Sequence, residues 1–568
     1  MNSKKQIKTN RLLVFVVHDP KGIIDKATLY YAEKLCAHVS KFVVVCNGFL
    51  VPESEEKIRE FASELFFREN NGYDAWAYKY GLETVGWDEL RKYDEVILAN
   101  DTVFGPIFPL SEMFDTMSEY DLDFWGASMH HGNPDKDFTK KNPYSFIPRH
   151  IQSYFTVYSS RFLSDRSLEE YWKNLPLIRT YHDAVGKHET VFTKYFEDKG
   201  FRWNVYADLD EIDRIGESSI YYEADLMIKA KRFPFVKRKL FTMDLLFDRP
   251  TSGELARKTM DYLQKQTDFD TNMIWDWLLR TTHQYDIVKN LSLTYVSSDN
   301  VSDRIDSGLP KAAVYFSVQD ATMRNMFCDY QANIPNIVET FHAGSDSHTM
   351  DLETLITQFD VFCLIRDPDF EYSGSVKARN GCHYKTMENM LGSKAYIENV
   401  LAIFDANPRL GMLVAPPPIH ARYASFPNRE WGTSYHEMEE RYNVLGLHCP
   451  ISEEKPPIAP LDGAGWFRSE AMRHVVDAKV KLEDIPTLLY SYILQDAGYY
   501  SAYLMSNSYA SLEYTNLIHY LRALNTLTKK YNTGKRTFPQ TLEIMDEKMK
   551  SESVISHIRR RWRKWRRA

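Results

Sequence analysis

The chain has 568 residues, 70 Lys and Arg against 78 Asp and Glu, a net charge of −8 and six cysteines. At about 150 residues per domain this allows three to four domain-sized units or two large ones, and 44% hydrophobic with 26% charged residues excludes a disordered or collagen-like chain. Cys36, Cys46, Cys328, Cys363, Cys382 and Cys449 form no C-x-x-C pair, which argues against a disulfide scaffold or zinc ribbon and favours a reducing, intracellular setting.

The polar opening, Met1 to Asn10, runs straight into an apolar strand without a secretory h-region. No uninterrupted apolar window of 18 residues predicts a membrane-spanning helix. Arg11 to Asp19 (RLLVFVVHD) reads as a buried parallel strand. From 24 to 39 the spacing is helical, with Leu29, Ala32, Leu35, Cys36 and Val39 on one face, and Lys41 to Gly48 is a second strand ended by an Asn-Gly turn. Glu55 to Leu65 predicts a helix, and Asp94 to Asp101 a third strand that stops abruptly in polar residues. Such β-α-β spacing predicts a doubly wound α/β layer structure, in which ligands bind at the carboxyl ends of strands. Asn47 and the Asn100-Asp101 pair are therefore the first places to look.

Beyond residue 205 the pattern loosens. Lys229 to Lys239 sets six cations around Phe233, Pro234, Phe235 and Val236, and a mostly helical segment follows to about 292. A second α/β passage runs through Ala312–Val318, Phe359–Asp369 and Arg409–Pro418. Both halves share the style of a strand followed by an acidic turn, with no repeat at the level of residues. From Asn516 onward the chain reads as helical. It ends in a Trp-punctuated basic tail of seven cations between Arg559 and Arg567. An acidic body with such a tail argues against wholesale nucleic-acid binding. It suits contact with an anionic membrane surface, where each cation contributes about 1 kcal/mol; the bland alternative is a solvated terminus.

Three segments could carry chemistry. In Ile97–Ile107 (ILANDTVFGPI) a strand delivers Asn100 and Asp101 into a loop. A carboxylate there can hold a divalent cation, Mg2+ or Mn2+, against a diphosphate, although an Asp after a strand is more often a turn former. In Arg68–Leu82, Asn70, Asn71 and Gly72 predict a tight turn and Asp74 a helix start whose N-terminus could face a diphosphate. In His188–Trp203, Glu189 is expected to open a helix; it could deprotonate an acceptor hydroxyl or simply favour the helix dipole.

In combination these segments resemble a GT-A type glycosyltransferase, and more closely the rhamnan synthesis protein F family of bacterial polysaccharide assembly. The matching stretches are Val14–Thr28, Val43–Gly48, Leu98–Phe114, Asp121–Ser128, His150–Leu163 and Arg232–Phe241, then more thinly Leu391–Pro416 and Leu461–Met472. The resemblance implies an α/β chain with an N-terminal GT-A-like (Rossmann-type) glycosyltransferase domain at 1–235 and a helical linker at 236–305. A second α/β, GT-A-like domain would span 306–515, and a helical C-terminal segment with the basic tail 516–568.

It further implies transfer of L-rhamnose from dTDP-β-L-rhamnose to a polyprenyl-diphosphate-linked rhamnose polysaccharide. The transfer would invert the anomeric carbon, at the cytoplasmic face of the cell membrane, to which the protein would bind peripherally. Asp101 would hold the metal and Glu189 would be the base. Asn71, Gly72 and Asp74 would face the nucleotide sugar, beside Asn47 and Asn100, and His18 and Asp19 the thymine or ribose. Asp123, Trp125 and Gly126 would wall the sugar pocket, with Gln152, Ser153 and Tyr154 near the acceptor. Trp125 is equally readable as a core aromatic. In the second half Asp367 and Asp369 form an acidic pair that could ligate a cation or make a Pro turn, and Pro416–Tyr423 and Gly463–Arg468 could line a polysaccharide groove. The alternatives are transfer of another sugar to a capsule or teichoic polymer, and a non-catalytic carbohydrate-binding scaffold.

Overall fold

A computed structural model describes residues 9–135, 137, 139–208, 219–243, 252–300, 308–343, 351–368, 376–418, 431, 434–477 and 485–531. The chain divides into two compact units: Met1–Leu245 with Thr251–Thr282 and Lys289–Ser292, and Leu246–Pro250 with His283–Val288 and Leu293–Ala568. Helices of the segment read as a linker thus divide between the units.

The first unit is a mixed sheet wrapped by helices. Its strands are β1 (Arg11–Val17), β2 (Lys41–Asn47), β3 (Glu64–Arg68), β4 (Glu95–Asn100), β6 (Phe124–His130), β7 (His150–Ile151), β8 (Phe155–Ser159) and β9 (Trp203–Ala207). The order is β3-β2-β1-β4-β8-β6-β7, with β9 paired to β6. β1, β2 and β4 are parallel, β8 is antiparallel to both β4 and β6, and β9 runs parallel to β6. A two-stranded ribbon joins β5 (Val103–Phe104) to β10 (Val236–Lys237). The near-continuous apolar runs of β1, β2 and β4 are what a sheet covered on both faces demands: Leu12 to Val17 are all buried. Gly81 lets the helix Tyr73–Val85 approach this sheet, because a Cβ there would press on Val14 and Val45.

The predicted helix Glu55–Leu65 is a correction. The observed helix is Pro52–Arg59, and Glu64–Arg68 is instead β3, in parallel register with β2 from Val43↔Glu64 to Asn47↔Arg68. Pairing to a strand already in place overrides the helix-friendly composition.

In the second unit the strands are β11 (Thr294–Ser297), β12 (Ala312–Ser317), β13 (Val338–His342), β14 (Val361–Arg366), β15 (Leu410–Val414), β16 (Ala464–Arg468) and β17 (Tyr500–Ser506). Their order is β11-β17-β15-β16-β14-β12-β13. Taken in chain order, β12 to β17 repeat the path of β1, β2, β4, β6, β8 and β9. The first strand pairs in parallel with the second and third, the fifth runs antiparallel to the third and fourth, and the sixth pairs in parallel with the fourth. The α/β class expected from the sequence is therefore built twice on one connectivity. The helix read from Asn516 begins at Asn507 and runs to Tyr531; the basic tail lies outside the described residues. Among the described residues no helix is long and apolar enough to cross a membrane.

Candidate functional site

The carboxyl ends of β1, β2 and β4 and the amino end of antiparallel β8 meet at one edge of the first sheet. At this edge Asp101 follows β4. Its amide donates to the Val16 carbonyl at 3.2 Å, and its Oδ2 accepts the backbone N–H of His18 at 3.1 Å. Burial pushes the Asp101 carboxyl up, against the pull of Arg238 and the His18 N–H, to about 6. Asn100 is buried; its Nδ2 donates to Asp74 Oδ2 at 3.0 Å, and its Oδ1 accepts from Thr102 N and Oγ1 at 3.2 and 2.6 Å. Asp74 sits in the first turn of the helix Tyr73–Val85, behind Gly72 at φ 86°. Burial, then the neighbouring Glu189 charge, raise its carboxyl to about 6, opposed by Lys237.

Glu189 does not open its helix, as the sequence suggested. Helical backbone begins at Tyr181 after the Thr180 cap, widens into a π-turn over Val185–Glu189, and continues as Thr190–Glu197. Such π-turns are frequent at functional sites. The Glu189 Oε2 accepts the Ser153 hydroxyl at 2.5 Å and the Ser153 N–H at 3.2 Å, and Oε1 lies 3.9 Å from His150 Nε2. Burial raises this carboxyl, but His150, the two Ser153 donors and Lys237 outweigh it and hold it below the ordinary value. Glu189 is therefore ionised at neutral pH. His150, buried beside it, is pushed down by burial against the opposing effect of Glu189.

Lys237 ties these groups together. Its Nζ donates to Thr102 Oγ1 at 2.8 Å and rests 4.0 Å from the centroid of the Tyr154 ring. Burial pulls its pKa down to about 8 against the upward influence of Glu189, Asp74 and Asp101. One ammonium thus feels both the strand-tip Asp101 and the helix-borne Glu189.

The other predicted residues divide. The His18 Nδ1 lies 2.7 Å from the Asn47 carbonyl and its Nε2 3.1 Å from Asn70 Nδ2. Asn47 is buried, bonded to the Tyr73 carbonyl and to Arg68. Asn71 is exposed and bonded to Glu69. Asp19 is spent on the Lys21 and Ile23 amides and on Arg280 at 2.8 Å. Tyr154 bonds Ser128 Oγ at 2.6 Å, and Gln152 Oε1 accepts from the same hydroxyl at 2.8 Å.

Asp123, Trp125 and Gly126 do not join this cluster. Asp123 precedes β6 at the opposite end of the sheet, held by Arg161 and the Arg202 amide. Trp125 packs on Phe114 and Phe155, with its indole 3.5 Å from Glu95 at the start of β4. Gly126 makes room for Ile151. The expected sugar-pocket wall is core.

The cationic run Lys229–Lys239 is divided: Lys229, Lys231, Arg232 and Lys239 are exposed, while its apolar centre and Arg238 are folded in. Phe233, Phe235 and Val236 are buried, Lys229 pairs with Asp225, and Arg232 pairs with Glu112 at 2.7 Å. Arg238 is buried in a two-pronged pair with Asp25 at 2.5 and 3.0 Å and bonds Thr28 Oγ1 at 2.8 Å. Lys237, Thr102 and His150 were not singled out from the sequence. The signal lay in the run itself, but only the β5–β10 pairing shows where it lands.

A cation of the Mg2+ or Mn2+ kind takes octahedral oxygen ligands. The Asn100 Oδ1 already has two donors, and both Asp74 oxygens accept hydrogen bonds, from Ala75 and Asn100. Among the described residues no three His, Cys, Asp or Glu side chains gather as a metal cage. The site offers Asp101, which fits a cation only where a substrate's phosphates complete the shell.

The β1/β4 and β12/β14 registers align the two units residue by residue: Val16↔Asn100 matches Ser317↔Arg366. Asp367 then stands where Asp101 does, and its Oδ2 accepts the Gln319 amide at 2.6 Å as Asp101 accepts that of His18. Its Oδ1 takes the Asp320 amide at 3.1 Å. Ser153 matches Asp462, buried in a 2.6 Å pair with Lys385. Counting back from Gly200 and Gly498, both in left-handed backbone, Glu189 matches Thr487. Asp369 and residues 419–423 of the expected groove lie outside the described residues.

The sequence model of rhamnan synthesis protein F matches residues 42–347 and 317–491. The chain belongs to the rhamnan synthesis protein F family. A relative in Sinorhizobium fredii, the uncharacterized protein y4gN, is 22% identical over 264 residues, 46% of this chain and 57% of its own. The chain therefore spans little more than half the length of that relative. Among solved structures, the glycosyltransferase GlyE of Streptococcus pneumoniae is similar at 12% identity over 66% of this chain and 88% of its own, with a TM-score of 0.25. Core-mannan synthase A of Aspergillus fumigatus, in its Mn/GDP form, is 9% identical over 30% and 65%, with a TM-score of 0.19. A cytidylyltransferase of Leptospira borgpetersenii is 11% identical over 37% and 79%, with a TM-score of 0.21.

Proposed function

We propose that the first unit is a glycosyltransferase of bacterial polysaccharide synthesis. On this reading it moves L-rhamnose from dTDP-β-L-rhamnose to a lipid-linked rhamnan acceptor with inversion. Membership of the rhamnan synthesis family supports the sugar and the polymer. The observation that supports the chemistry is Lys237, anchored on Thr102 directly after Asp101 and subject to the charges of both Asp101 and Glu189. Glu189, ionised and aimed by Ser153, takes the proton of the acceptor hydroxyl as that oxygen bonds to the anomeric carbon. The bond from that carbon to the donor diphosphate breaks on the opposite face, so one general base suffices and no covalent intermediate forms. A bound divalent cation, held by Asp101 together with the donor's phosphates, would add positive charge to the leaving diphosphate. Docking at an anionic membrane face through the basic tail belongs to the same proposal.

The test is transfer from a panel of nucleotide sugars to a rhamnosylated lipid acceptor, with and without a chelator. Expected is transfer from dTDP-rhamnose that Glu189→Gln abolishes. A protein that binds the glycan while transferring no sugar would identify a scaffold instead, and an unimpaired Glu189→Gln would remove Glu189 as the base.

A further inference from the structure

Asp74 is bonded to Asn100, the residue before Asp101, and also feels the Glu189 charge, and all three carboxylates act on Lys237. A nucleoside diphosphate arriving there adds at least two negative charges to an already acidic site. Something cationic must face it, and that group needs donors not already committed to carboxylates. Arg238 does not qualify: Asp25 and Thr28 occupy its guanidinium. Arg280 is held by Asp19 at 2.8 Å and lies 3.7 Å from Asp25. His150 is buried, which disfavours its charged form, and its Nε2 lies 3.9 Å from the Glu189 carboxylate.

Lys237 differs from all of these. Its hydrogen bond goes to a neutral hydroxyl, Thr102 Oγ1, one residue beyond Asp101. An ammonium carries three donors, so this bond and the Tyr154 ring face beneath leave capacity to spare. The side chain cannot wander off. Its backbone is fixed in the β5–β10 ribbon opposite Val103, with Phe235 and Val236 buried before it and Arg238 locked after it.

We propose that Lys237 is a catalytic residue of the first unit: its ammonium contacts the diphosphate of the nucleotide-sugar donor and stays with it as the sugar departs. This rests on the glycosyltransferase reading and deepens it by naming the group that meets the leaving charge from the protein side. Its place on a paired strand also preorganises this lysine, as a free surface would not.

The experiment compares dTDP with dTMP, and UDP with UMP, binding to wild type, Lys237→Met and Lys237→Arg by calorimetry, each with EDTA and with Mn2+. A charge-assisted contact to one phosphate corresponds to about 10- to 100-fold in affinity. Expected is that Lys237→Met narrows the preference for diphosphate over monophosphate by that factor, and that Lys237→Arg restores most of it. A role confined to holding the three carboxylates together would weaken both nucleotides equally and leave their ratio intact; that result overturns the proposal. So does a ratio unchanged because neither affinity moves. Wild type that binds no nucleoside diphosphate refutes the glycosyltransferase reading itself, and this inference with it.

Discussion

Replacing Asp101 by Asn separates the cost of its charge from its use. Burial raises the carboxyl from 3.8 to about 6, a rise of about two pH units, and each unit is worth about 1.4 kcal/mol. Above pH 6 the ionised side chain therefore weakens the folded unit. With a discount for its partial exposure, the weakening is about 1–3 kcal/mol. Asn keeps an oxygen for the His18 amide, so the loop after β1 is preserved. The folded pKa is the higher one, so the cost is full above 6, fades as pH falls towards 4, and vanishes once the carboxyl is protonated in both states. Urea unfolding of wild type and Asp101→Asn at pH 7, 6, 5 and 4 should show the variant more stable by about 1–3 kcal/mol at pH 7 and indistinguishable near pH 4. Sugar transfer at pH 7 should fall by about 100-fold or more over the same substitution. A variant less stable at pH 7, or a difference flat in pH, would refute the electrostatic account.

Glu189→Gln should keep an acceptor for the Ser153 hydroxyl but lose a charge that the fold stabilises, lowering the melting temperature at neutral pH while kcat drops about 10²- to 10⁴-fold. The acidic limb of the pH–rate profile should lie below the ordinary glutamate range and move up in Ser153→Ala, which deletes a donor that holds Glu189 down. Lys237, faced by Glu189, Asp74, Asp101 and Lys239, loses its proton near 8; activity that needs the charged form falls as pH rises through that value, and Lys237→Arg should push the limb upward. Gly126→Ala should cost about 1–3 kcal/mol of stability by driving a methyl into Ile151, with KM unchanged in the folded fraction. A raised KM would instead return Gly126 to the sugar pocket.

The apolar runs of β1, β2, β4, β12, β14 and β15 were legible because a doubly covered sheet admits little else. β3 was not: Glu64–Arg68 is half-exposed, and its sequence follows the helix Pro52–Arg59 with only four residues between. At the site, Asp101 and Glu189 could be proposed because each stands beside a strand or helix signal. Periodicity gives the face of a strand but not its end. Asp123 and Trp125, although close in sequence to Ser128, therefore fell at the wrong edge. Lys237 was hidden for a third reason. Its neighbourhood depends on pairing with Val103, 134 positions earlier, and charge composition alone makes any such run look like surface.

The repeated strand path lets the chain serve as its own control. Asp101 and Asp367 clasp the turn after the first strand in both copies, so that clasp is a property of the scaffold, inherited whichever chemistry is mounted on it. Glu189 and Thr487 differ at a matched position. A graft of glutamate at 487, with serine at 462 and methionine at 385, would ask how few side chains turn one copy into the other.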